Sequence, residues 1–305
     1  MPELVQESAS KSTENGRIAL VPTDSIIAGS PVDLPFQQPK GPMSVPDHRT
    51  ACEQAARAGG EVLLSWVGRF DVREKGPFDL VTQADLASQE AIRGVLMVEF
   101  PKYAFVSEEG DGEAIPDVEY CWVVDPLDGT TNYVHQMPHY AVSVALLHRG
   151  SPVVGAVFDP VHGECFTCER GKGAYLNGDR LRTSDVQQLS GALAAASFAA
   201  NVQRGSREID QFVAALLACQ AVRRTGSAAL NLCYLAAGRI DVCWALSTHI
   251  WDVAAGVLMI EEAGGVVTAP DGGAFDLRVP HPAASASRAL HAPFCELLKD
   301  APPVG

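Results

Sequence analysis

A chain of 305 residues, 47% apolar and 20% charged, is long enough to bury a substantial core, and its composition is that of a folded globular protein, not a disordered, collagen-like or fibrous one. Its 23 Lys and Arg against 37 Asp and Glu leave a formal charge of −14, which repels phosphodiester backbones, so nucleic-acid binding is not expected. The longest apolar run, Phe212 to Cys219, falls far short of the ~20 residues that cross a bilayer, and no membrane segment is expected.

Residues 1–47 hold seven of the 20 prolines with no sustained period, which predicts a disordered N-terminal extension. From Arg49 to Phe70 the apolar positions Cys52, Ala55, Ala56, Val62, Leu63 and Val67 recur at helical spacing, in spite of Gly59 and Gly60. Residues 84–99 repeat the pattern with Leu86, Ile92, Val95 and Leu96, and Pro101 stops it. Tyr120 to Val124 reads as a buried strand running into Asp125-Pro126, and residues 140–176 as an antiparallel meander. Beyond residue 190 strands (191–198, 220–224, 240–246, 265–268) alternate with helices (206–219, 226–237, 251–263), the signature of layered α/β packing. The chain divides into an α+β lobe over 48–188 and an α/β lobe over 189–300.

No basic-plus-apolar leader opens the chain, and its eight cysteines are scattered, several within apolar runs; they read as reduced thiols of a cytoplasmic protein. Cys165 and Cys168 share a strand and project to opposite faces, and Pro138 breaks any helix that would align His135 with His139, so neither pair reads as a zinc site.

Three acidic clusters lie far apart in sequence, each at the edge of an apolar segment: Ser107-Glu108-Glu109-Gly110, Asp125 to Asn132, and Trp251-Asp252. A fourth acid, Asp85, follows the polar turn Lys75 to Asp79. Carboxylates at the ends of buried strands and the starts of helices are costly unless something positive joins them, and a divalent cation answers that need. Pro126 fixes the chain so that Asp125 and Asp128 can turn toward one point, Gly129 permits close approach, and Thr130, Thr131 and Asn132 would open a helix whose N–H groups favour an anion. On these residues alone a capped surface turn stays open as the alternative.

The string Asp125-Pro126-Leu127-Asp128-Gly129-Thr130-Thr131-Asn132-Tyr133 resembles the signature of the inositol monophosphatase family of Mg-dependent, lithium-sensitive phosphomonoesterases. Ser107-Glu108-Glu109 before it, Trp251-Asp252-Val253-Ala254-Ala255-Gly256 after it and Glu262-Ala263-Gly264-Gly265 near the end resemble further family blocks in order and spacing. The resemblance implies an alternating αβαβα sandwich of the inositol monophosphatase and fructose-bisphosphatase type. It implies that Glu108, Asp125, the carbonyl of Leu127 and Thr130 surround a first Mg2+, that Asp125, Asp128 and Asp252 hold a second, and that Glu108 helps a third. Glu108 and Thr130 would orient the attacking water. Asp85 either assists as a catalytic acid near that threonine or is a capping charge. Asp128, Gly129, Thr130, Thr131, Gly226, Ser227 and Ala228 would contact substrate. Mn2+ is expected to substitute for Mg2+, and Li+ or Ca2+ to inhibit.

The same resemblance implies a small phosphorylated polyol or sugar as substrate, most of all an inositol monophosphate, and a homodimer. One departure matters: where inositol phosphate enzymes carry a Glu seven residues before the motif Asp, Ala245 stands here, with Asp241, Ser247 and His249 as neighbouring substitutes. Histidinol phosphate and fructose 1,6-bisphosphate are the rival esters, and Thr131 disfavours the nucleotide-type relatives, which carry Lys there. A regulatory protein associated with RNA and transcription is the rival of another class.

Overall fold

The structure is a computed structural model that describes residues 47–70, 72–76, 79–110, 112, 114–198 and 202–303. Of the extension expected over residues 1–47, residues 1–46 lie outside these, as do the side chains of residues 73–80, Lys75 included, while Asp47 belongs to the start of the first helix. Helix α1, His48–Trp66, starts where the Asp47 carboxylate accepts from the Arg49 N–H and the Thr50 hydroxyl. Gly59 and Gly60 are tolerated inside it because it is pressed on both sides: a Cβ on Gly59 would meet Ile92 at 2.8 Å, and one on Gly60 would meet Phe158 at 2.5 Å. A hairpin that the periodicity does not reveal comes next, β1 (Val72–Gly76) with β2 (Asp79–Thr82), and then α2 (Gln83–Glu99), opened by a Thr82–Asp85 capping box. Leu86, expected on its apolar stripe, is exposed. The buried stripe is Ala84, Ser88, Ile92 and Leu96, and Leu86 lies off it.

The first large sheet runs in order β3 (Ala104–Ser107), β4 (Tyr120–Asp128), β5 (Ala141–His148), β6 (Ser151–Asp159), β7 (Glu164–Glu169), β8 (Gly173–Leu176) and β9 (Asp179–Arg180). Of these pairings β3 with β4 is parallel and the rest are antiparallel, so the meander expected over 140–176 is present. Both faces are covered, and the two-residue period shows it: Trp122 and Val124 join the core under α1 and α2, while Cys121 and Val123 join the core on the other side. Cys165 and Cys168 divide between the same two cores, and all eight cysteines are free and buried.

A short α3 (Thr130–Val134) follows β4. The second sheet runs β11 (Ala221–Arg223), β10 (Leu193–Ser197), β12 (Val242–Ala245), β14 (Ala283–Ser285), β13 (Val266–Thr268), with β11, β10 and β12 parallel and β14 antiparallel to both its neighbours. Helices α5 (Ala228–Ala236) and α6 (Ile250–Ala263) are apolar nearly all round, as helices packed on both sides must be, and fill the space between the two sheets. Helices α4 (Arg207–Ala218) and α7 (Arg288–Lys299) cover the outer face of the second sheet. The layers read α1/α2, sheet, α5/α6, sheet, α4/α7: the αβαβα sandwich. Among the described residues no helix is long and apolar enough to cross a membrane.

The seating of α6 matters most, because its first turn carries Asp252. Gly155 on β6 makes the close approach, since a Cβ there would stand 2.9 Å from the backbone Cα of Ala255. Gly155→Val is expected to cost about 2 kcal/mol through overpacking, or roughly 5 °C in Tm. Thermal denaturation checks it, and an unchanged Tm would show that α6 can yield.

Candidate metal and phosphate site

The bulge between Asp125 and Asp128 in β4 brings the two acids toward one side of the strand end, where plain alternation would not. The Leu127 N–H donates to Oδ1 of Asp125 at 2.9 Å, and the Ser88 hydroxyl on α2 donates to the Pro126 carbonyl at 2.9 Å, fixing this segment from beneath. Glu108 follows β3 directly, and its N–H donates to the Val124 carbonyl at 3.2 Å, which holds that turn beside β4. Asp252 arrives from the far side of the sheet on α6, tied down where the Ser143 hydroxyl donates to the Trp251 carbonyl at 3.0 Å.

Asp125, Asp128 and Asp252 each offer an oxygen within 4.8 Å of the others, the group among the described residues that is placed to hold a metal ion. Asp125 is held well above the ordinary carboxylate range by burial first and then by the charges of Glu108, Asp128 and Asp252. Asp252 is raised by burial and by Asp128 and Glu108, against a His249 N–H that favours its ionised form. Asp128 is pushed up to about 6 by burial, against donors from Ser227, Ala229 and Ala228 that favour its charge. Three hard oxygen donors that resist joint ionisation fit a cation such as Mg2+, whose charge removes the conflict.

Of the other expected ligands, Thr130 and Leu127 meet, the Thr130 hydroxyl donating to the Leu127 carbonyl at 3.1 Å. Gly129 has φ +96°, and a Cβ there would stand 3.2 Å from both the Gly226 and His139 carbonyls, so only glycine lets these loops close. Thr131 is exposed beside it. Asp85 is fully buried: its Oδ2 accepts from the Thr82 N–H and hydroxyl, while Oδ1 has no hydrogen-bond partner among the described residues. Burial raises it to about 6, with Glu109 and Glu108 adding to the push, so it is both a capping residue and a charge within electrical reach of the site.

Two expectations change. Ser227 does not present its hydroxyl to the pocket; it donates to Oδ2 of Asp128, and the Ala228 and Ala229 N–H groups donate to the same carboxylate at 3.1 and 2.9 Å. The start of α5 therefore holds one of the three grouped acids, a role its sequence hides because the partner lies about a hundred residues away. Asp241, considered as a substitute for the missing Glu, is consumed inside the fold, accepting from the Ser184 hydroxyl and, at 2.7 Å, from the Leu193 N–H.

Three comparisons bear on this geometry. The inositol monophosphatase family profile matches residues 46–302. The Nus factor SuhB of Pseudomonas aeruginosa is 40% identical over 226 residues, covering 70% of this chain and 82% of that relative. Among solved structures, the inositol monophosphatase of Anabaena (Nostoc) sp. PCC 7120 superposes with a TM-score of 0.74 at 35% identity over 84% of this chain and 96% of that one. An IMPase/NADP phosphatase solved with Mg2+ and phosphate gives 0.70 at 26% identity, covering 79% and 90%.

Proposed function

The chain belongs to the inositol monophosphatase family, and from that premise we propose that it is a Mg2+-dependent phosphatase of small phosphate monoesters, with an inositol monophosphate as the preferred substrate. The observation that carries the proposal is the meeting of Asp125, Asp128 and Asp252, from two elements over a hundred residues apart, around one point. These three, with Glu108 and the Leu127 carbonyl, would hold two to three ions. Bound Mg2+ supplies positive charge against the phosphoryl oxygens and makes water a nucleophile at neutral pH.

The protein's own part is positioning. Ser227, Ala228 and Ala229 fix the orientation of Asp128 with three donors, and Leu127 does the same for Asp125 with one. Glu108 and Thr130 would orient the water, and the Asp85 carboxyl lies within electrical reach of Glu108. Gly129 and Thr131 receive the phosphate through the turn after β4. Helix α3 has five residues and little dipole of its own, so the pull on the phosphate comes from the cations and the loop N–H groups more than from a helix end. The proposal includes a cytoplasmic homodimer. Eight free, buried thiols support the compartment, and the homodimer is what the family resemblance implies.

A second reading, a transcription-associated binding protein, is favoured by one observation, the similarity to relatives named Nus factor SuhB. The net charge of −14 weighs against direct contact with RNA more than against contact with a protein. A panel of inositol phosphate, histidinol phosphate and fructose 1,6-bisphosphate, with Mg2+ or Mn2+ and with or without Li+ or Ca2+, decides between the two. Turnover in Mg2+ that Li+ suppresses is the expected result, and silence on every ester would favour the binding protein.

A further inference from the structure

The parallel strands β11, β10 and β12 end together at one edge of the second sheet, and the carboxyl edge of parallel strands is where α/β sheets receive ligands. The segments leaving that edge lead to both halves of the carboxylate site: Ser227–Ala229 grips Asp128, and His249 donates its N–H to Oδ2 of Asp252 at 2.8 Å. At the end of β12, Ala245 is buried against Ser197 and contributes only a methyl group. Two residues on, Ser247 has φ +59°, a left-handed backbone that serine seldom adopts and that turns its exposed hydroxyl onto Oε1 of Glu208 at 3.2 Å. Glu208 lies in the first turn of α4, which leaves the same edge as the crossover between β10 and β11. Chain geometry puts the Cα of Ser247 no more than about 11 Å from the Asp252 carboxylate.

We propose that Glu208, presented together with Ser247, is the specificity-determining carboxylate of the pocket and accepts hydrogen bonds from the hydroxyl groups of a polyol phosphate whose phosphate sits at Asp125, Asp128 and Asp252. The assignment rests on the phosphatase reading and narrows its substrate to hydroxyl-rich esters. A hydroxyl that donates to an ionised carboxylate makes a bond about twice as strong as a neutral one. The hydroxyl a ligand must displace is that of Ser247, which water can satisfy because it is exposed. Asp241 offers no rival carboxylate, since both its oxygens are engaged. Nothing in the local sequence flags Glu208, which lies 39 residues before Ser247 and meets it only in the fold.

The test is the ratio of kcat/KM for myo-inositol 1-phosphate to that for phenyl phosphate, measured in saturating Mg2+ for the full chain, Glu208→Ala and Ser247→Gly. The ratio is expected to fall about 10-fold to 100-fold in Glu208→Ala, the range set by loss of a charge-assisted bond, and several-fold in Ser247→Gly, whose backbone suits the left-handed turn. A ratio equal to wild type in Glu208→Ala overturns the assignment, as does an equal loss on both esters, or a wild type that turns over phenyl phosphate alone. If wild type turns over neither ester, the phosphatase reading falls and takes the assignment with it, and the wild-type rate alone tells this outcome from the others.

Discussion

Asp252→Asn is expected to lower kcat/KM for a phosphate monoester by about 10³-fold or more, equivalent to ~4 kcal/mol of transition-state stabilisation, while raising the Tm of the metal-free protein. The two effects have one cause. Asp252 sits with Asp125 and Asp128 in a group of acids whose charge burial already disfavours; Asp128 and Asp252 raise the proton affinity of Asp125, and Asp128 raises that of Asp252. Removing one charge relieves the remaining two, so the fold gains what the site loses, the trade expected where a site is built from mutually repelling groups. Asn keeps a carbonyl oxygen that can accept the His249 N–H at the start of α6, so the helix cap survives. Asp128→Asn is a poorer probe: its amide would set donors against those of Ser227, Ala228 and Ala229, and its inactivity would mix charge loss with disorder. Steady-state kinetics at saturating Mg2+ and calorimetry in a chelator read the two halves separately. Substantial turnover by Asp252→Asn removes Asp252 from the metal site, and inactivity with a lowered Tm makes its role structural.

The layers are legible in the sequence where one period rules a whole element. Both long N-terminal helices, the meander and the alternating second half stand within a few residues of their expected bounds, because each buries a face that its pattern declares. The β1–β2 hairpin, β14 and α7 escape such a reading: the strands are short, and Pro293 inside α7 interrupts the cue a helix gives. Within the site, acids beside apolar runs demand an explanation but leave a capped turn open, and it is the family resemblance that joins Asp125, Asp128 and Asp252 in the sequence. What a sequence does not supply is who holds whom. Ser227 looks like any helix cap, and it is one, accepting from the Leu230 N–H; its second bond, to Asp128, depends on how two sheets stack. Asp241 looks available in the sequence and is not in the fold, for the same reason.

The metal-free protein is expected to lose stability as pH rises from about 4 through about 6, and Mg2+ is expected to restore it most where the loss is greatest. Asp128 and Asp85 bind their protons more tightly in the fold, near 6 against an ordinary 3.8. A raised folded-state value means that the stabilising contribution is complete below 3.8 and is lost as pH climbs through about 6. Asp125 and Asp252 are raised as well, Asp125 by burial and three neighbouring acids, which carries the decline to higher pH. Mg2+ competes with these protons at the three grouped acids, so its effect vanishes at low pH, where the protons already neutralise the site. At a hundred times its Kd a ligand adds ~2.7 kcal/mol, which for a chain of this size is roughly 5 °C or more in Tm. Melting curves from pH 4.5 to 7.5, with a chelator and with Mg2+, are therefore expected to converge at the acid end and separate by about that much at the other, with the gap narrowed in Asp252→Asn. Asp85 lies outside the group of three and keeps its own slope in both conditions. A Mg2+ shift of equal size at both ends of the range would mean that the ion binds somewhere other than these carboxylates.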